Sequence, residues 1–197
     1  MILKCISQPT NEPVTIEDVA NQCRIGDLTD EQASVNLFIA AVRQRAESVT
    51  RRALLTQTWE LVLDAFPQYR DPIYLPLPPL QSVSSITYYD ASGALLTMTS
   101  VGYRVISDAD PAMILPAYGT EWPATLDDKA VVRVRFVCGY GGDPADVPAA
   151  IRQWMLLQVA NLFENRETET VANGKLTMVD LSTLADGLLD NYRVVTW

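Results

Sequence analysis

The apolar residues of this chain change their spacing twice, and that change limits the folds open to it. Up to Arg52 they recur at helical intervals: Val35, Phe38, Ile39, Val42, Ala46 and Val49 share one face, with Arg43, Gln44 and Glu47 opposite. After Arg52 the spacing becomes that of a strand. Gln57, Trp59, Leu61 and Leu63 alternate with Thr58, Glu60, Val62 and Asp64, the pattern of a half-buried strand. Past Pro148 the helical interval returns, with Ile151, Met155, Val159 and Leu162 in one stripe that Trp154, Leu156, Leu157 and Phe163 widen. The order predicts an α+β fold: a small helical bundle, made of the N-terminal helices and the helix after residue 147, carrying an inserted antiparallel β block whose ends lie close together. In domain terms, residues 1–52 and 141–197 form the helical core and residues 53–140 the β-rich subdomain.

Local signals fill in this outline. Pro9 and Pro13 make residues 8–14 extended, and Thr15 is a natural N-cap with Asp18 three positions on, so a short helix is expected over 16–24. Gly26 and Asp27 end it, and Thr29 or Asp30 caps the longer helix, which closes on Arg51 and Arg52, cations suited to a helix C-terminus. In the β block, prolines on both sides restrict 73–75 to a short or edge strand. Residues 83–89 and 94–99 flank Asp90-Ala91-Ser92-Gly93 as a hairpin, 103–106 and 112–115 are shorter strands, and Val132, Val134, Phe136 and Cys138 alternate with Arg133, Arg135 and Val137 in a last one. Pro148 suits the first turn of a helix over 149–167. Residues 168–175 are polar, 179–192 read as a weaker helix broken at Gly187, and Val194, Val195 and Trp197 leave apolar side chains at the end.

The composition, 48% hydrophobic and 20% charged over 197 residues, allows a real core, and a chain of this size buries roughly 70% of its unfolded surface. Fifteen Lys and Arg against 24 Asp and Glu give a net charge of −9, which argues against a groove that grips nucleic acid by its phosphates. The absence of histidine removes Ser-His and Cys-His nucleophile pairs, HExxH zinc sites and histidine proton shuttles together. Cys5, Cys23 and Cys138 lie far apart without a CxxC pair and read as free thiols. No apolar run approaches a membrane span and the N-terminus does not read as a signal peptide, so no membrane partner and a cytosolic setting are expected.

Each constellation that might carry chemistry has a simpler use. Glu164 and Glu167, with Glu169 beside them, suggest a carboxylate metal site but suit a solvated helix end. Asp108 with Asp110, and Asp127 with Asp128, stand in turn-forming sequence. The run Gly139-Tyr140-Gly141-Gly142 follows a strand and precedes a helix but lacks the spacing of a phosphate loop, and Pro76 to Pro79 read as a connector. Arg43, Arg45, Arg51 and Arg52 form a basic cluster, either solvated or in contact with an acidic partner. No catalytic, cofactor-binding or metal-ligating set is predicted, and the chain does not read as an enzyme. The aromatic residues Trp59, Tyr74, Tyr88, Tyr89, Tyr103, Tyr118 and Trp122 keep open an alternative, a carbohydrate- or protein-binding β module, although core packing explains most of them.

A family resemblance runs through residues 5–167. The runs Ala65-Phe-Pro67, Leu77-Pro-Pro-Leu-Gln-Ser-Val83, Pro116-Ala-Tyr-Gly-Thr-Glu-Trp-Pro123 and Val134-Arg-Phe-Val-Cys-Gly-Tyr-Gly141 are similar to the head-tail connector proteins of long-tailed phages and prophages. So are Arg52-Ala-Leu-Leu-Thr-Gln-Thr-Trp-Glu-Leu61, Val147-Pro-Ala-Ala-Ile-Arg-Gln153 and Phe163-Glu-Asn-Arg166. The resemblance implies a ring-forming adaptor at the head-tail junction of the virion, assembled in the host cytoplasm. It would dock under a portal protein of twelvefold symmetry, meet a tail-side connector protein, and let DNA pass without specific binding. The net charge of −9 fits such a bore. Leu157, Gln158, Asn161 and Arg166 are the residues expected to face the next subunit, Arg43 and Arg51 to meet an acidic partner, and Trp197 to belong to a docking C-terminus.

Overall fold

Strand pairing in the β block begins with a segment whose spacing gave no warning of it. In the computed structural model, which describes residues 1–26, 28–164, 169–172, 175–178 and 186–194, β1 (Ile2–Ser7) pairs antiparallel with β2 (Gln57–Leu63). The chain divides into two units, Met1–Thr10 with Leu55–Gly142 and Asn11–Leu54 with Asp143–Trp197. The first ten residues therefore belong with the strands, not with the helical core to which the sequence assigned them. The reason is the partner: an edge strand that leans on β2 needs only alternate half-buried positions, here Leu3 and Cys5, and six residues of that kind carry little periodic signal.

The β unit holds two antiparallel sheets. The larger has the order β1-β2-β8-β4-β5, with β4 (Leu80–Tyr89), β5 (Leu95–Thr97) and β8 (Val132–Cys138). The smaller is β3-β7-β6, with β3 (Ile73–Leu75), β6 (Tyr103–Ile106) and β7 (Ala112–Pro116). The alternation in β8 survives intact: Val132, Val134, Phe136 and Cys138 are buried while Arg133 and Arg135 are exposed. Leu61 faces Val134 across one ladder and Ile86 faces it across the other, and all three are fully buried. Burial of each such side chain stabilises by about 1.5–3 kcal/mol. The β4–β5 turn is fixed by Asp90, whose Oδ1 accepts hydrogen bonds from the Ser92 hydroxyl at 2.6 Å and from the N–H groups of Ser92 at 2.8 Å and Ala94 at 3.0 Å.

In the helical unit the predicted capping box is present. The Thr15 hydroxyl accepts from Asp18 N–H at 3.1 Å while Thr15 N–H donates to Asp18 Oδ2 at 2.8 Å, and α1 (Ile16–Cys23) follows. The longer helix, α2 (Gln32–Thr50), starts instead through a 3-10 turn, Thr29–Glu31, without a side-chain capping bond. It packs with α1 and with α3 (Ala149–Glu164), burying Val35, Ile39, Val42 and Ala46 among them and Ile151, Trp154, Met155 and Val159 from α3. Residues 165–168 lie outside the described residues, so the predicted extent of α3 to 167 is followed only to Glu164. Beyond it the polar stretch forms a hairpin, β9 (Glu169–Ala172) with β10 (Lys175–Met178). The weaker helix predicted over 179–192 is, in its described part, two 3-10 turns, Asp186–Leu188 and Asp190–Tyr192. Gly187 and the acidic residues there favour short turns over a continued helix.

Two expectations test this description. Gly139 has a φ of +119°, and a Cβ added there would collide with the Leu55 carbonyl, so Gly139→Ala should cost about 2–4 kcal/mol in urea denaturation. The Ser92 hydroxyl, followed by the Ala94 N–H, holds the Asp90 carboxyl below its usual 3.8. The folded state then binds this proton less readily than the unfolded one. The stabilisation is complete above the ordinary carboxylate range and is lost as pH falls through the lowered value. An NMR titration of Asp90 should show its midpoint below 3.8.

Candidate functional site

The described residues hold no metal-ligand cluster, and the candidate surfaces are what each element leaves outside its core. On α3, opposite the buried stripe, Leu157 is 38% exposed, and Gln158 and Asn161 beside it are half-buried. Leu157 and Asn161 are four residues apart and share a helical face. Arg51 is exposed and caps α2 in the left-handed region at φ +56°. Arg166 and Trp197 lie outside the described residues.

Arg43 corrects the sequence reading. Placed on the solvent face by periodicity, it is only 5% exposed. Its Nε donates to Glu12 Oε2 at 2.8 Å and its Nη1 to Glu47 Oε2 at 2.9 Å, while Glu47 Oε1 accepts from Leu54 N–H at 3.1 Å. The guanidinium is thus spent inside the helical unit, pinning the extended segment before α1 to α2. The physical reason is that an ion pair lets the long stem of an arginine enter a face that apolar periodicity would leave to solvent.

The C-terminal segment is tied down as far as Val194. Val194 N–H donates to Thr50 O at 3.0 Å, Arg52 Nε donates to Tyr192 O at 2.7 Å, and Leu189 is fully buried. The Thr50 carbonyl belongs to the last turn of α2, where helical partners run out. Residues 195–197 lie outside the described residues.

The candidate chemical groups take structural roles where they are described. Asp128 Oδ1 accepts from Lys129 N–H at 2.7 Å and the Ser107 hydroxyl donates to Asp108 at 3.0 Å, both turn contacts. Gly139 N–H donates to Pro79 O at 2.9 Å and Thr56 N–H to Gly141 O at 2.8 Å, so the glycine run closes the sheet. Among the described residues no cluster of Cys, Asp or Glu has the arrangement of a metal site; Glu167 and the Glu169 side chain lie outside them. Burial, and then the Glu164 carboxylate, push the Cys23 thiol above its ordinary value and keep it protonated. Of the aromatic residues, Trp122 stacks on Phe66 at 4.9 Å and Tyr88 meets the same ring edge-on at 5.3 Å, whereas Tyr74 and Tyr118 are exposed, Tyr118 beneath the Arg70 guanidinium.

Two further surfaces emerge from the fold. On the solvent face of the larger sheet, where Glu60 and Val62 are nonetheless buried, register aligns Lys4, Glu60, Arg135 and Ser85 in one row and Ile2, Val62, Arg133, Thr87 and Thr97 in the next. Glu60 is 7% exposed, and its two oxygens sit 3.0 Å from Arg135 and 3.6 Å from Arg133. The alternation in β8 foretold the two arginines; Lys4 was missed with β1. In the helical unit a groove of about 600 Å³ has Val14, Ile39 and Pro144 in its floor and Glu12 and Glu17 on its rim.

No protein-family model and no curated protein matches this sequence. Solved structures do match its fold over the full length. A chain from the neck of an empty GTA particle, computed with C6 symmetry, superposes with a TM-score of 0.80 at 22% identity, covering 100% of this chain and 97% of that one. A chain from the virion of a native gene transfer agent (GTA) particle gives 0.78 at 21% identity, with the same coverage. A chain from the neck of a native GTA particle, computed with C12 symmetry, gives 0.70 at 21% identity and again that coverage. The fold of this chain is therefore one found in the neck of such particles.

The buried arginine yields a prediction. Arg43→Ala leaves Glu12 and Glu47 without their cation and should cost about 2–4 kcal/mol, at the low end of a broken buried pair because 31% of the Glu12 side chain remains in solvent. Chemical denaturation of the two proteins checks it.

Proposed function

We propose that this chain is a structural head-tail neck protein of a phage-like particle. In this reading it forms a ring that docks on a portal protein, offers its other side to a tail-side connector protein, and lets DNA pass without gripping it. Its place is the head-tail junction of the virion, reached from the host cytoplasm during assembly. The observation that carries the reading is the full-length superposition on neck chains, both units included. The net charge of −9 supports a bore that repels phosphate. The origin of one matching chain in a neck computed with C12 symmetry supports a twelvefold ring built by head-to-tail contacts.

Within the ring, α3 supplies one contact to the next subunit through Leu157, Gln158 and Asn161, with Arg166 continuing it. Arg51 meets an acidic partner surface, and Trp197 belongs to a segment that docks on the portal or on the tail-side protein. No step of this role makes or breaks a covalent bond.

The reading is tested by mixing the purified chain with a portal complex from the same source genome and weighing the product by native mass spectrometry. A complex with one copy of this chain per portal subunit is expected. Leu157→Glu combined with Asn161→Arg should weaken ring formation by about tenfold or more while leaving the melting curve in place. A ring that forms undiminished with both substitutions contradicts the placement of this contact, and a portal that takes up none of the wild-type chain contradicts the function.

A further inference from the structure

The solvent face of the larger sheet has the opposite charge to the chain as a whole. Its charged residues are Lys4, Arg133, Arg135 and Glu60, in a protein of net charge −9. Glu60 lies almost entirely beneath the two guanidiniums, whereas the Arg133 and Arg135 side chains are 43% and 47% exposed and Lys4 is exposed. What the face shows to its surroundings is cationic, set among the hydroxyls of Ser85, Thr87 and Thr97. Along the β1 edge the exposed residues are Ile2, Lys4, Ile6 and Ser7, with Ile2 at 54% and Ile6 at 47%, so the basic surface has an apolar border.

A complementary surface exists on the other unit of the same chain. The groove before α1 has an apolar floor with Val14 and Ile39 in it and exposed Glu17 on its rim, while Glu12, which also lines it, is held by Arg43. Pro144, which also lines it, is bracketed by the exposed acids Asp143 and Asp146. A closed ring of identical subunits requires two unlike, mutually complementary patches on each copy, because its contacts are head-to-tail.

We propose that the basic face of the larger sheet docks on the acidic groove of the next copy of this chain, Lys4 and Arg133 opposing Glu17 and the Asp143 and Asp146 pair, with the Ile2 border over the apolar floor. The inference rests on the ring reading and adds to it a second contact, distinct from the one on α3. Duplex DNA is the less suitable occupant: three cations release few counterions, and the net charge of the chain opposes approach. Charges at such a contact set its specificity and make it sensitive to salt.

The experiment is sedimentation velocity on the full-length chain across a concentration series at low and high salt, with Arg133→Glu, Lys4→Glu and Glu17→Lys as separate variants. Arg133→Glu leaves the shorter Arg135–Glu60 pair in place, and Lys4→Glu leaves both arginines, so one unstable variant does not remove the test. Wild-type self-association should weaken with salt, each variant should weaken it by about tenfold or more, and an equimolar mixture of Arg133→Glu with Glu17→Lys should recover it between unlike chains. Variants that associate as the wild type does overturn this contact and leave the ring reading standing. A wild-type chain that remains monomeric throughout, with and without portal, overturns both. Unchanged self-association joined to lost retention of a DNA duplex in Arg133→Glu reassigns the face to nucleic acid and also overturns the proposal.

Discussion

Residues 55–142 begin and end at one place because the two ends of this stretch are fastened to one another. Thr56 N–H donates to Gly141 O at 2.8 Å, and Gly139, in a backbone region open to glycine, lets its strand end lie directly against the Leu55 carbonyl. Gly139 O accepts from Gln81 Nε2 at 2.8 Å and Gly139 N–H donates to Pro79 O, so the start of β4 is bound into the same knot. The ends of this stretch are therefore neighbours, and the closure entropy of so long a loop is offset by backbone bonds between them. The helical unit keeps its own core, anchored by Ile39, Ala46, Ile151 and Met155, and the β unit keeps another around Leu61, Ile86 and Phe136.

Charge divides along the same lines. Inside the helical unit the acids Glu12 and Glu47 hold Arg43, a pairing that costs desolvation and returns a fixed geometry for the chain leading into α1. On the sheet the arrangement is reversed: one nearly buried acid organises two arginines that stay half in water. The first is a strut closed to partners. The second is a presented surface, and its sign differs from that of the molecule that carries it.

Much of this was legible in the sequence. The α+β class, the capping box at Thr15 and Asp18, the Asp90 hairpin, the stripe of α3 and the alternation of β8 all follow from periodicity and turn chemistry that local residues control. What escaped was set by partners distant in sequence. β1 exists because β2 offers an edge, and Arg43 is buried because Glu12 lies 31 positions away along the chain. The antiparallel pair β9–β10 joins two four-residue strands, too short for the alternation of Leu176 and Met178 with Lys175 and Thr177 to stand out. The surfaces were less legible still. Leu157 stood out through the excess apolar width of α3, but the basic sheet face needs the register of three strands to bring Lys4 into line with Arg135.

In the proposed role this chain joins two parts of a particle by shape and complementary surface. The most direct measurement is electron microscopy of particles made by cells from which its gene has been deleted. Filled heads and separate tails with no joined particles are expected, with joining restored by supplying the chain in trans. Intact tailed particles in normal numbers from the deleted strain would contradict that role.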